Sequence, residues 1–399
     1  MAEASERINH PISTAELERR WAAVRAAMAE RKIDVLLMQA NNDFMGGYVK
    51  YFTDLPATNG YPVTVVFPRD ERMTVVGQGA FKLARELPPE GDGLRRGVAR
   101  FLGVPSYASC HYTAEYDAEL AAKGLEPYAS ATIGMLGTAA ISFATVDFLK
   151  RKFPKAKFVD ASDMVDRIKA VKSDEEIACM RRTAAMQDAA MDAVFKAIRP
   201  GMRDLEAAAI AEQIGHGFGS EQGLFLCASG PVGSAAVFGN RHLQNRVMRE
   251  GDYFTLLIEN NGAGGFYTEL GRTCVLGKAS PEMQDEFAFV LEAQKFTASL
   301  LKPGAACRDI WEKYNAYMRE HGKPEEKRLH CHSQGYDMVE RPLVRFDEPM
   351  AVAKNMVFAC HPTYVTERTY SWACDNFLIG ANGADERLHK FPQKIFELG

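Results

Sequence analysis

The sequence predicts an α/β chain of two domains, the second assembled from two related halves. Three observations lead there. Short β-branched apolar runs alternate with helix-length segments over the first part of the chain. The pair Pro200-Gly201 recurs as Pro303-Gly304, about 103 residues further on, each copy followed by helix-like sequence and then an apolar strand. Seven of the nine histidines lie beyond residue 215, so the chemistry is expected in the second part. A length of 399 residues suits two to three domains, and a chain of that size needs no disulfide or structural metal to hold a core.

Residues 1–160 read as the first domain. Ser13 and Glu16 stand in S-x-x-E spacing at the head of a helix over 15–31, the signature of a capping box. Residues 35–38, 63–67 and 73–76 are apolar and β-branched, and read as strands. Residues 88–93 (PPEGDG) form a loop, 142–153 a helix and 158–160 a last strand. A boundary follows over about 161–172. Ser173 and Glu176 repeat the capping-box pattern and open a helix to about Ile198, which Pro200-Gly201 ends. In each half of the duplication the strand closes on a polar residue, Glu259 in one and His361 in the other. Two copies are too few for a solenoid, so the duplication reads as one pseudo-symmetric domain with its site where the halves meet.

Composition narrows the function. Lys plus Arg is 48 and Asp plus Glu is 52, a net charge of −4, which argues against a dedicated nucleic-acid binder. The longest uncharged stretch, 127–146, holds Pro127, two glycines and several Ser and Thr, and does not qualify as a membrane span. No basic segment followed by an apolar one opens the chain, and none of the eight cysteines forms a C-x-x-C pair. The expectation is a cytoplasmic protein with no nucleic-acid or membrane partner.

Three segments carry potential chemistry. Residues 251–273 read as a hairpin: a strand ending at Glu259, a turn through Gly262, Gly264 and Gly265, and a return strand bearing Glu269. Two carboxylates on paired strands can hold a metal or divide acid and base roles by shifting each other's pKa; the plainer reading is two solvated turn glutamates. His330-x-His332 on a strand puts both rings on one face, as a metal site requires, or else forms an exposed loop. His361 ends an apolar strand whose hairpin partner is 372–379. A smaller signal runs from Phe238 to His242, either a substrate-contact loop with His242 as base or a plain loop.

Together Gly251-Asp252, Arg272-Thr273, His332-x-x-Gly335-x-Asp337 and the helix-opening run 167–177 resemble the creatinase/aminopeptidase P superfamily over nearly the whole chain. The resemblance implies a creatinase-type α/β domain over 1–160, a pseudo-symmetric pita-bread α+β catalytic domain over 165–399, and a homodimer. Peptidases of this superfamily hold two metal ions with two Asp, one His and two Glu. Here the first Asp position falls on Ile258 or Glu259, depending on a one-residue gap, the second on Glu269 and the His on His332. One Glu position carries His361, the other Cys374, and the further peptidase histidine is Val339.

Residues 265–273 resemble creatinase itself, a branch without metals. The resemblance therefore implies a hydrolase of a non-peptide C–N bond in a small polar molecule, such as an amidine, guanidino or cyclic amide compound, with no cofactor. His242 or His332 would activate water or assist Glu259 as nucleophile, while Glu269 and His361 position the substrate or shuttle a proton. Phe238, Tyr267 and Tyr336 would line the substrate, and Arg272 or Arg341 would hold its carboxylate. The alternatives are a single Zn, Fe or Mn ion on Glu269, His332 and His361, serving a hydrolase or lyase; a divergent Xaa-Pro dipeptidase; and a binding module without catalysis.

Overall fold

The computed structural model describes residues 10–40, 47–55, 61–239 and 245–399. It divides into two compact units, Met1–Lys169 and Ala170–Gly399.

In the first unit, α1 (Thr14–Glu30) starts at Ser13, whose hydroxyl accepts the Glu16 N–H. Then come β1 (Val35–Ala40), α2 (Gly47–Thr53), β2 (Val63–Pro68), β3 (Met73–Gln78), β4 (Leu83–Glu86), β5 (Val98–Val104), α3 (Tyr116–Leu125), β6 (Thr132–Leu136), α4 (Phe143–Lys152) and β7 (Lys157–Asp160). The seven strands form one mixed sheet in the order β4-β5-β3-β2-β1-β6-β7. Its core sets Val35, Leu37, Val66 and Val76 against α3 and α4 residues such as Ala118, Ala121 and Leu149. The interval expected to separate the domains is helical: α5 (Ser162–Ala170) buries Met164 and Val165, which carries the first unit on to Lys169.

The second unit contains the duplication. Its first half is α6 (Asp174–Ala197), α7 (Asp204–Gly217), β8 (Gly223–Pro231), β9 (Asp252–Asn261) and β10 (Tyr267–Val275). The capping box on α6 is complete, Ser173 and Glu176 each satisfying the other's backbone N–H. The second half is α8 (Pro281–Leu300), α9 (Cys307–Glu320), β11 (Cys331–Ser333), β12 (Glu340–Leu343), β13 (Val357–Cys360), β14 (Thr363–Val365), β15 (Tyr370–Trp372), β16 (Asp375–Ile379) and β17 (Ala384–Arg387). Strand β18 (Phe396–Glu397) pairs back onto β10.

Backbone hydrogen bonds repeat between the halves. Gly201 N–H donates to Met248 O and Gly304 N–H to Val352 O; Gly251 N–H donates to Leu276 O and Asn355 N–H to Ile379 O. The halves give sheets β18-β10-β9-β8 and β12-β11-β13-β16-β17. One face of each is buried by its helices. Phe254, Leu256, Ile258, Leu270 and Cys274 pack on α6 and α7, while Cys331, Phe358 and Cys360 join Ile310 and Trp311 of α9. The sheets join where Gly271 and Cys374 exchange backbone hydrogen bonds of 3.1 and 3.4 Å. No helix among the described residues is long and apolar enough to cross a membrane.

Candidate active site

Strand alternation decides which side chains reach the junction of the two sheets. On β9 and β10, residues of one parity pack on the helices, so Leu257, Glu259, Tyr267, Glu269 and Gly271 take the other face. The register pairs Glu259 directly with Glu269, which settles the one-residue ambiguity: Glu259 shares a face with Glu269, and Ile258 lies behind in the helix-packed core. On β11 and β13 the same rule turns His332 and Ala359 toward the junction, while His361 follows the end of β13.

Glu269, His332 and His361 converge, each offering a ligand atom within 4.8 Å of the others. His332 Nε2 stands 3.5 Å from Glu269 Oε2, and the two imidazole centroids are 5.2 Å apart. His332 Nδ1 donates to Ser333 O at 3.0 Å. A carbonyl oxygen only accepts, so that bond puts the proton of a neutral ring on Nδ1 and turns the Nε2 lone pair toward a carboxylate oxygen. Two acceptors face to face require a proton or a cation between them. Two imidazoles and one carboxylate fit one borderline divalent ion.

The two carboxylates differ. Burial pushes Glu259 well above the ordinary range, and the Glu269 charge adds to the push against the opposing Gln334 hydrogen bond and the Arg328 charge. Burial acts on Glu269 in the same direction. There, however, His361 and then His332 outweigh it and hold the carboxyl down at about 2. Burial lowers His361 despite the Glu269 charge. Glu259 is thus the weaker acid of the pair and Glu269 the stronger.

Gln334 and Asn376 complete the centre, and sequence reasoning gave neither a role. Gln334 Nε2 donates to Glu259 Oε1 at 3.1 Å, to Glu269 Oε2 at 3.4 Å and to Met338 O at 2.9 Å. Asn376 fixes that amide: its Nδ2 donates to Gln334 Oε1 at 2.7 Å, and its Oδ1 accepts the Glu269 N–H at 2.7 Å. The only signal was positional. Gln334 is two residues past His332, and Asn376 has the strand parity of Cys374. Cys374 Sγ donates to Glu269 O at 3.5 Å, and burial with the nearby Glu269 and Asp375 charges keeps it a thiol.

The other expected residues scatter. Arg272 has the parity of Leu270 and Cys274 and points away from the site. It is fully buried, bonded to Asp375 Oδ1 at 2.6 Å and to the carbonyls of Gly271, Cys374, Phe391 and Pro392. It has no donor left for a substrate carboxylate. Arg341 is likewise engaged, in a two-bond pair with Glu348 at 2.7 and 3.1 Å. His330 precedes β11, so strand alternation does not govern it. Its ring stacks on Tyr314 of α9 at 3.6 Å, and the two rings of His330-x-His332 do not form a ligand pair. Tyr267 and Tyr336 are buried, the latter ring 4.2 Å from Phe266. Phe238 does reach the junction face, edge-on to Tyr370 at 5.3 Å and to Trp372 at 4.9 Å, in a cluster with Leu257 and Ala359. His242 lies outside the described residues.

Two glycines near the site stand where a Cβ would meet a neighbouring side chain. A Cβ on Gly271 would stand 2.3 Å from the Trp372 ring, and one on Gly335 2.3 Å from Glu340 Oε2. The same Glu340 carboxylate accepts the Tyr336 N–H at 2.8 Å and so shapes the turn after Gln334.

Residues 178–384 match the family model for metallopeptidase family M24, and residues 20–171 match that for the creatinase/prolidase N-terminal domain. An uncharacterized hydrolase/peptidase of Sinorhizobium fredii, y4tL, is 27% identical over 96% of both chains. The Xaa-Pro dipeptidase of Pyrococcus furiosus is 26% identical over 66% of this chain and 75% of its own. Among solved structures, an X-Pro aminopeptidase from Thermotoga maritima superposes with a TM-score of 0.78 at 18% identity, over 95% of this chain and 99% of that one. That likeness carries the two-domain pita-bread fold.

Proposed function

The chain belongs to metallopeptidase family M24, and from that premise we propose that it is a hydrolase of the amide C–N bond in a small dipeptide-like molecule, dependent on a single divalent cation. The observation that carries this reading is the convergence of Glu269, His332 and His361, whose ligand atoms all lie within 4.8 Å of one another, with His332 Nε2 3.5 Å from Glu269 Oε2. A dinuclear centre does not fit. Cys374 stands in one carboxylate position as a buried thiol already bonded to a backbone oxygen, and His361 stands in another. Matches to Xaa-Pro dipeptidases favour an amide over the amidine or guanidino substrates the sequence suggested.

Glu269, His332 and His361 would hold the ion, which when bound polarises a carbonyl and lowers the pKa of water. The chain's own residues manage the protons. Glu259, whose pKa burial raises, would hand its proton to the leaving nitrogen and recover one from the attacking water. Gln334, locked by Asn376, holds the Glu259 carboxyl across from the ligand Glu269. Hydrolysis consumes one water and leaves Glu259 as it began.

Elemental mass spectrometry of protein purified without chelator, alongside release of free amine from a dipeptide panel, tests the proposal. The expected result is one equivalent of a transition metal, with activity lost on chelation and restored by metal. Two equivalents, or turnover indifferent to chelator, would overturn it.

A further inference from the structure

The duplicated halves differ at one equivalent corner. Asp204 opens α7 and Cys307 opens α9, and the backbone treats the two positions alike. Asp204 N–H donates to Arg246 O at 3.0 Å, and Cys307 N–H to Met350 O at 3.2 Å. The preceding residues, Arg203 and Ala306, form antiparallel bridges to Val247 and Ala351. In the second half the corner holds a buried thiol inside the apolar core. In the first half it holds a carboxylate, on a residue 1% exposed. The backbone at this corner therefore does not demand a charge.

Asp204 stands in the wall of a cavity of about 510 Å³, together with Ser229, Arg246 and the methyl groups of Ala228, Ala235 and Ala236. Small-molecule sites run from about 300 to 1,000 Å³, so the space suits an organic ligand rather than a bare ion. The Ser229 hydroxyl donates to Asp204 Oδ2 at 3.2 Å, and the Leu205 N–H donates to Oδ1 at 2.9 Å. Neither partner is charged. Arg246 directs both terminal nitrogens at Asp252, at 2.5 and 3.0 Å, and no cation among the described residues pairs with Asp204. Burial pushes the Asp204 carboxyl up, against the Ser229 bond and the Arg246 charge. A carboxylate so buried is stabilised by a cation, and the cavity gives one access to it.

This cavity is separate from the Glu269, His332 and His361 cluster. Ser229 is in register with Phe254, which packs on α6 and α7, whereas Leu226 on the same strand faces the junction. Strand β8 is the edge of its sheet, which lets Ala228 and Ser229, of opposite parity, line one cavity.

We propose that this cavity binds the primary ammonium group of a small aliphatic molecule, held by Asp204 and Ser229, with the aliphatic part against Ala228, Ala235 and Ala236. An ammonium brings three donors and no acceptor, which matches a carboxylate and a hydroxyl that already gives its own proton to that carboxylate. Simple amines and free amino acids both carry the group. The site stands independently of the amide-hydrolase reading.

The test is calorimetric titration of chelator-stripped protein with isoamylamine, isoamyl alcohol and L-leucine, so that no bound metal competes for the amine. Wild-type protein is expected to bind the amine about tenfold to a hundredfold more tightly than the alcohol, the range for a hydrogen bond to a charged group. Asp204→Asn keeps an acceptor for Ser229 but removes the charge, and abolishes the preference. Ala235→Leu fills the cavity with Asp204 in place and weakens amine binding. Asp309→Asn, at an exposed carboxylate on α9, leaves binding intact. Leucine binding as tightly as isoamylamine identifies an amino acid as the source of the ammonium, and weaker leucine binding identifies a simple amine; either supports the proposal. Equal affinity for amine and alcohol in wild type, or a preference that survives Asp204→Asn, would overturn it. Should Asp204→Asn fail to fold, unchanged amine binding in Ala235→Leu would overturn it as well.

Discussion

Replacing Arg272 by Met separates a structural role from a substrate contact. Its Nη2 meets Asp375 Oδ1 at 2.6 Å with both side chains 0% exposed, and the remaining donors bond four backbone carbonyls. Met fills much of the volume but leaves the Asp375 carboxylate buried with Arg387 as its remaining arginine, at 3.1 Å. Breaking a buried pair from one side costs about 3–5 kcal/mol. For a unit of this size that lowers the melting temperature by about 6–20 °C. Burial raises the Asp375 pKa, but Arg272 and then His389 overcome it, so the folded value lies below the unfolded one. A depressed carboxylate contributes stability above its unfolded pKa and loses it as pH falls through the folded value. The gap between wild type and Arg272→Met in urea unfolding should therefore be widest near neutrality and narrow as pH drops below the carboxylate range. A stability loss under about 1 kcal/mol with a tenfold rise in KM would refute this reasoning and return Arg272 to the substrate.

Two further variants test other contacts around the site. Glu259→Gln keeps a side chain for Gln334 to meet but removes the proton, so kcat should fall by about 10²–10⁴-fold while metal content stays at one equivalent; wild-type turnover would remove Glu259 from the mechanism. The Glu259 pKa is raised in the fold, so its contribution to stability is full below the carboxylate range and lost as pH rises through the folded value; the Gln variant should lack that loss. Gly271→Ala drives a methyl into the Trp372 ring, where the Cβ would sit at 2.3 Å, and should destabilise by about 1–3 kcal/mol with a shift in tryptophan emission. An unshifted spectrum and unchanged urea midpoint would show that the ring moves aside freely.

Local chemistry made much of the fold legible. Capping at Ser13 and Ser173 needs only a side chain and the N–H three residues on, so those helix starts could be read directly. The Pro-Gly recurrence exposed the duplication because each copy must satisfy the same backbone groups, and the paired bonds of Gly201 and Gly304 do so. The carboxylate hairpin and the ligand candidates Glu269, His332 and His361 were visible for a similar reason: each lies at or near the end of a strand that the sequence itself marks.

The sequence by itself determined the element types, the repeat and the residues able to bind a cation, because those depend on spacing along one segment. Only the tertiary structure decided which of them meet. Strand register brought Glu259 opposite Glu269 and turned Arg272 to the helix face, since one residue of slip reverses every side chain on a strand. Packing of α9 drew His330 out of the ligand set and onto Tyr314. Gln334 and Asn376 acquired roles only when residues far apart in the chain came together at the junction of two sheets, a proximity that no local pattern encodes.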